Sequence, residues 1–110
     1  MICKQWDVVI VPFPFSNQPG TKRRPALALS DRSFNGKGHT VLAMITTSGH
    51  RTWPGDVALS DHKAAGLYLR CILRLKLFTL DNRLLMKRIG SLSISDQKKI
   101  KVQFKTYLPW

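Results

Sequence analysis

The chain of 110 residues contains no glutamate. Its acids are six aspartates, set against eighteen lysines and arginines, for a formal net charge of +12. So few carboxylates argue against chemistries that need them in pairs or clusters. Glycoside hydrolysis needs two carboxylates across one bond, and Mg²⁺ or Ca²⁺ sites gather several oxygen ligands. Cysteine is nearly as scarce. Cys3 and Cys71 stand far apart, and His39, His50 and His62 show no paired ligand spacing, so no metal site is expected. Two cysteines make no disulfide framework and are read as thiols in a reducing compartment. No segment approaches the roughly 20 apolar residues of a membrane span, and Lys4, Trp6 and Asp7 interrupt any signal-like apolar core at the start. A cytoplasmic protein is the simplest expectation. Gly36-Lys37-Gly38-His39 lacks the phosphate-loop pattern, and nothing resembles the nucleophile elbow of a serine hydrolase. Repeats, low-complexity stretches and linkers are missing too, so residues 1–110 are expected to form a single domain.

What the chain has in excess is positive charge. An imbalance this large points to a polyanionic partner, because neutralising phosphates releases counterions and strengthens binding. An acidic protein would also answer it. An anionic membrane surface answers it less well, because the basic C-terminal segment lacks the Trp-rich apolar face of an interfacial helix. With 44% hydrophobic residues the composition is otherwise that of an ordinary globular domain.

The stretch from Trp6 to Ser30 organises the rest. Residues 7–15 and 24–30 are apolar and rich in β-branched side chains, so both read as strands. Pro12 and Pro14 remove backbone donors and put the end of the first strand at an edge or a bend. Between the strands, residues 16–21 are turn chemistry. Three cations, Lys22, Arg23 and Arg24, stand where the loop re-enters the second strand, and Pro25 biases Arg24 toward an extended backbone. A guanidinium there has a firm base and can reach a ligand; the same residues also suit a hairpin with a solvated basic turn.

Residues 31–39 read as a loop with one helical turn. Residues 40–46 form a third strand, apolar on both faces and so central, ending in the hydroxyls Thr46, Thr47 and Ser48. Those hydroxyls suit a ligand or simply local bonds to the backbone. A loop with His50, Arg51 and Trp53 follows, then short strands at 56–59, 69–75 and 78–81, and a longer one at 84–92 with Gly90 at a bulge. Ser93 and Asp96 form a capping-box-like start to a helix whose Ile100, Phe104 and Leu108 face the core. Lys98, Lys99, Lys101 and Lys105 face solvent, and Pro109 ends the helix. The elements give an α+β domain built on a small, strongly curved, mostly antiparallel sheet.

Taken together, Asp7-Val8-Val9-Ile10-Val11-Pro12-Phe13-Pro14-Phe15, a short polar loop and Lys22-Arg23-Arg24-Pro25-Ala26-Leu27-Ala28-Leu29-Ser30 resemble the opening of the PemK/MazF-like toxin family. Agreement continues through Met44-Ile45-Thr46-Thr47-Ser48, Trp53-Pro54-Gly55-Asp56-Val57, Ala65-Gly66-Leu67, Lys76-Leu77-Phe78-Thr79-Leu80-Asp81 and Arg88-Ile89-Gly90-Ser91-Leu92-Ser93. The order and spacing of these pieces extend the resemblance over nearly the whole chain.

The resemblance implies an SH3-like β-barrel with short helices and a C-terminal helix, and a homodimer. It implies a metal-independent endoribonuclease, needing no cofactor, that cuts single-stranded mRNA at a short sequence and leaves a 2′,3′-cyclic phosphate and a 5′-OH. It also implies a type II antitoxin, acidic, as partner. The family's catalytic arginine and threonine fall on Arg24 and Thr46. Lys22, Arg23, Thr47, Ser48, His50 and Arg74 are further RNA-contact candidates. Two departures stand out. Relatives that use the arginine at position 74 carry Asp where this chain has Lys76, which removes that general base. Leu69-Arg70 replaces a Pro- and Ser-containing run. The rival expectation is a non-catalytic relative of the same fold that binds nucleic acid, RNA or DNA, or a protein.

Overall fold

The computed structural model describes residues 1–13, 22–49 and 51–110. Among them six strands form one antiparallel sheet: β1 Asp7–Phe13, β2 Lys22–Ala28, β3 His39–Thr47, β4 Val57–Ala58, β5 Cys71–Asp81 and β6 Lys87–Ser91, in the order β4-β5-β3-β2-β1-β6. The sheet curls into an SH3-like half-barrel. A one-turn helix, α1 (Arg32–Asn35), joins β2 to β3, and α2 (Ile94–Tyr107) closes the chain.

β3 is central because both of its faces are apolar. Ala43 and Ile45 look to one side with Val8, Leu27 and Leu73, where Ile100 and Phe104 of α2 cover them. Leu42 looks to the other side with Val9, Val11, Ala26 and Ala28, where Cys3, Leu80 and Leu85 close one end. Both cysteines are buried free thiols, and burial pushes each thiol pKa up.

The helix start follows the capping expectation. Ser93 accepts a hydrogen bond from the Asp96 amide. Asp96 does more than suit the helix dipole. It is fully buried and accepts hydrogen bonds from the amide and hydroxyl of Ser60 and from the amide of Asp61, with Lys99 alongside at 3.2 Å. It ties the start of α2 to the loop after β4.

Glycine is required where that loop meets β6. A Cβ on Gly66, whose φ is +77°, would lie 2.0 Å from the Ile89 carbonyl oxygen, and one on Gly90 would lie 2.3 Å from the Ala65 carbonyl carbon. The expected bulge is beside Gly90: the register with β1 shifts between Val8↔Gly90 and Val9↔Arg88.

Three boundaries differ from expectation. β2 begins at Lys22, because Phe13 and Pro12 of β1 pair with Lys22 and Arg23. Segments 69–75 and 78–81 are one strand, β5, held continuous by pairing with β3 across a register shift: Ala43 pairs with Leu77 but Met44 with Arg74. Leu75 and Lys76 are therefore two extra residues on β5, a bulge that leaves the alternation from Leu73 to Leu77 intact and so has no trace in the sequence. Residues 84–86 are not strand; Asp81 accepts from the Arg83 amide and starts a 3-10 turn, Asn82–Leu84, before β6. The expected strand positions 14 and 15, the loop 16–21 and His50 lie outside the described residues.

Candidate functional site

Arg24 sits on β2 opposite Val11 of β1. The hydrogen-bonded ladder between β2 and β3 runs from Ala28↔Leu42 to Ala26↔Met44 and goes no further. Two residues on in the same register stand Arg24 and Thr46, so alternation places both on the face that carries Ala26 and Met44. A cavity of about 310 Å³ opens there, walled by Val11, Pro25, Met44 and Leu77 and by the rings of Phe13 and Phe78, with Arg24 and Lys76 as its cations. Among the described residues no carboxylate lines it.

The Arg24 guanidinium carbon lies 5.5 Å from the Phe13 ring centroid, a cation–π contact. Its Nε is the one buried side-chain polar atom without a hydrogen-bond partner among the described residues. Such a donor is costly to leave unmade, and here it belongs to a permanently charged fork shaped for phosphate or carboxylate oxygens.

The remaining candidates divide. Lys22 is exposed and alternates onto the face of Arg24, whereas Arg23 and Thr47 alternate onto the opposite face. Thr46 is half-buried and pairs with Ile72 of β5; it stands one same-face step beyond Met44 but is not among the residues that line the cavity. Ser48 lies just past the end of β3, exposed, its amide donating to the Arg70 carbonyl at 2.9 Å.

Arg74 shares the face of Met44, yet its guanidinium is engaged. Nε and an Nη donate to the two oxygens of Asp56 at 3.2 and 3.1 Å, and the same Nη donates to the Arg51 carbonyl at 2.7 Å. Asp56 also accepts from the Trp53 amide, and the Arg74 guanidinium lies 5.2 Å from the Trp53 ring centroid. Burial alone would raise the Asp56 carboxyl; the hydrogen bonds from Arg74 and Trp53 and the Arg74 charge outweigh it and hold the pKa below the usual carboxylate value. Arg74 thus orders the loop before β4. Sequence reasoning missed this partner and the place of Lys76 in the cavity; Trp53 before Asp56 is the one local hint.

Two larger grooves, about 590 Å³ beside α2 and about 850 Å³ beside β6, do not contain Arg24. The second carries Lys63, Lys87 and Arg88, but Arg88 is paired with Asp7 at 2.9 Å. The buried Arg24 Nε, without a hydrogen-bond partner among the described residues, singles out the smaller cavity.

Among curated protein sequences none matches significantly. Solved structures are similar over nearly the full chain. A MazE–MazF complex from Deinococcus radiodurans aligns with a TM-score of 0.77 at 22% identity, covering 99% of this chain and 98% of that one. An endoribonuclease in complex with its cognate antitoxin from a mycobacterial species gives 0.73 at 22% identity, covering 97% and 95%. The Mycobacterium tuberculosis toxin MazF-mt6 gives 0.75 at 19% identity, covering 94% and 96%. At these identities the likeness is one of fold. The family model described as PemK-like, MazF-like toxin of type II toxin–antitoxin systems matches residues 4–108, and the chain belongs to that family.

Proposed function

We propose that the protein is a metal-independent endoribonuclease that cleaves single-stranded RNA at a short sequence, as the toxin of its pair. The observation that carries this reading is the buried Arg24 Nε, without a hydrogen-bond partner among the described residues, in a cavity whose described lining has two cations and no carboxylate. RNA supplies its own nucleophile. The 2′-oxygen bonds to the adjacent phosphorus, the bond from phosphorus to the 5′-oxygen breaks, and the 2′-hydroxyl proton is transferred, net, to the departing 5′-oxygen. The products are a 2′,3′-cyclic phosphate and a 5′-OH. The protein's part is to orient the strand and neutralise the charge that grows on the phosphoryl oxygens. Arg24 takes that charge with its two-pronged fork, and Thr46 holds the phosphate as a hydroxyl donor. Lys22, Ser48 and His50 extend the contact with the strand, while Arg23 and Thr47, on the opposite face, reach RNA only where it passes around the sheet end.

An acidic antitoxin segment would meet the same cations, which fits a net charge of +12. The short outer strands β4 and β6 leave sheet edges that a twofold mate can cover, so the working species is a homodimer, acting in the cytoplasm. Sedimentation showing only a 12.5 kDa species at micromolar concentration would count against the dimer.

The cleavage assay uses a fluorogenic RNA oligonucleotide in EDTA, with wild type, Arg24→Ala and Thr46→Ala. Wild type is expected to cut; both variants are expected to be impaired, Arg24→Ala more. Loss of wild-type activity in EDTA, or full activity in Arg24→Ala, overturns the mechanism. Binding of the oligonucleotide without cutting in any buffer would instead identify the non-catalytic relative.

A further inference from the structure

The β5 bulge gives the Arg24 cavity a second cation, which no described carboxylate pairs. Strand β3 passes directly from Ala43 to Met44, while β5 inserts Leu75 and Lys76 between their partners Leu77 and Arg74. Lys76 reaches the same cavity as Arg24 from the opposite wall of the sheet. Its side chain is exposed, and no carboxylate among the described residues pairs with it. Its ammonium lies 5.6 Å from the Trp53 ring centroid. Trp53 is held by the Arg74–Asp56 pair, through its amide and its ring. The two cations of β5 therefore do different work. Arg74 is consumed in ordering the loop, and Lys76 is held at the cavity by an aromatic face that offers it no counter-charge.

We infer that Lys76 binds a phosphate of the substrate strand next to Arg24, as a ground-state contact. This rests on the proposed reading of Arg24 as the group acting on the reacting phosphate. Two cations facing apolar walls, with no acid between them, suit a phosphodiester whose flanking sugars and bases lie on Phe13, Met44 and Leu77. An ammonium is a compact point charge with rotatable donors, so it holds a phosphate without imposing the two-pronged geometry that Arg24 supplies. The division of labour has a kinetic signature. Lys76 acts in ground state and transition state alike, so its loss raises KM; Arg24 acts on developing charge, so its loss lowers kcat.

The test compares wild type, Lys76→Met, which keeps the aliphatic stem, and Lys76→Arg, in cleavage kinetics and in binding of an uncleavable all-deoxy oligonucleotide across salt. Lys76→Met is expected to raise KM and the oligonucleotide Kd about tenfold and to leave kcat within about threefold. It should also lessen the slope of log K against log salt by about 0.7, the value of one single-strand phosphate contact. Lys76→Arg should keep KM within about threefold. An unchanged KM and salt slope in Lys76→Met, or Lys76→Arg as impaired as Lys76→Met, overturns the inference while leaving the Arg24 reading intact. If wild type binds the oligonucleotide but cuts no RNA, the cleavage reading fails and Lys76 is judged on Kd and salt slope alone. If wild type does not bind it, both fail.

Discussion

The two ends of one sheet face treat polar groups in opposite ways. At the closed end, beside Cys3 and Leu80, the Asn35 amide is fully buried and donates to the carbonyls of Cys3 and Ser30 at 2.9 and 3.0 Å. Its oxygen accepts from the Ser30 hydroxyl, whose own oxygen accepts from the Val41 amide at 2.9 Å. Asn82 continues the network, accepting from Thr40 and donating to the Asn35 carbonyl. At the open end Arg24 Nε has no hydrogen-bond partner among the described residues. A network complete within the chain makes structure, while a strong donor left incomplete calls for a ligand. The two ends share one face, so the difference lies in the side chains and not in the backbone that carries them.

Four changes sharpen or break that contrast. The largest effect is expected from Arg24→Ala, which should lower kcat for RNA cleavage by roughly 10²–10³, as for other donors aimed at transition-state charge. The other seventeen of eighteen cations keep RNA affinity largely intact, and thermal melting should show a loss of about 1 kcal/mol or less. Arg24→Lys should restore little, because a point charge lacks the fork. Asn35→Ala should do the reverse. It strands the Ser30 hydroxyl and two carbonyls in the core, and urea titration should show a loss of about 2–3 kcal/mol with unchanged activity per folded molecule. If the two signatures were exchanged, the contrast would be wrong.

Next comes acid. Burial raises the Asp96 carboxyl, but the hydrogen bonds from Ser60, Asp61 and Lys99 outweigh it and bring the pKa to about 2, from 3.8. A folded-state pKa below the unfolded one gives stability that is present above the unfolded value and lost as pH falls through the folded one. Between pH 4 and 2 stability should therefore drop by on the order of 2 kcal/mol through this group. Asp96→Asn, followed by denaturant titration across the same range, should flatten that part of the profile. The smallest effect is expected from Arg74→Ala. Losing the guanidinium leaves Asp56 half-sheltered without its cation, and hydrogen exchange should show residues 51–56 opening more readily by about 1–2 kcal/mol, with global stability less affected.

Much of the fold is legible in the sequence because it is encoded locally. The apolar runs of β1 and β3, the Ser93 cap and the spacing of Ile100 and Phe104 each announce themselves within a few residues. Gly90 shows its bulge because it must clear the loop that carries Ala65. The failures lie where partners are distant. Segments 69–75 and 78–81 read as separate because the apolar pair Leu77-Phe78 ends the alternation that runs from Leu73 to Leu77, and only pairing with β3 shows one strand. Asp56 and Arg74 are eighteen positions apart, Asn35 and Asn82 forty-seven, so neither partnership has a local trace. The site is legible in its residue types, Arg24 and Thr46, through family resemblance. What no sequence displays is that one arginine is spent and another is not.

The bulge in β5 adds two residues, not one. Side chains alternate, so an insertion of two leaves every residue before and after it facing the side it would face without it. Deleting Leu75 and Lys76 together would rejoin the ladder in step, with Leu77 beyond Arg74 and the core pattern unaltered. A lineage can therefore gain or lose a cation at this point by a six-nucleotide event, without recoding the strand around it. The cation at the cavity is thus a detachable piece of the strand, and the core can stay still while it is added or removed.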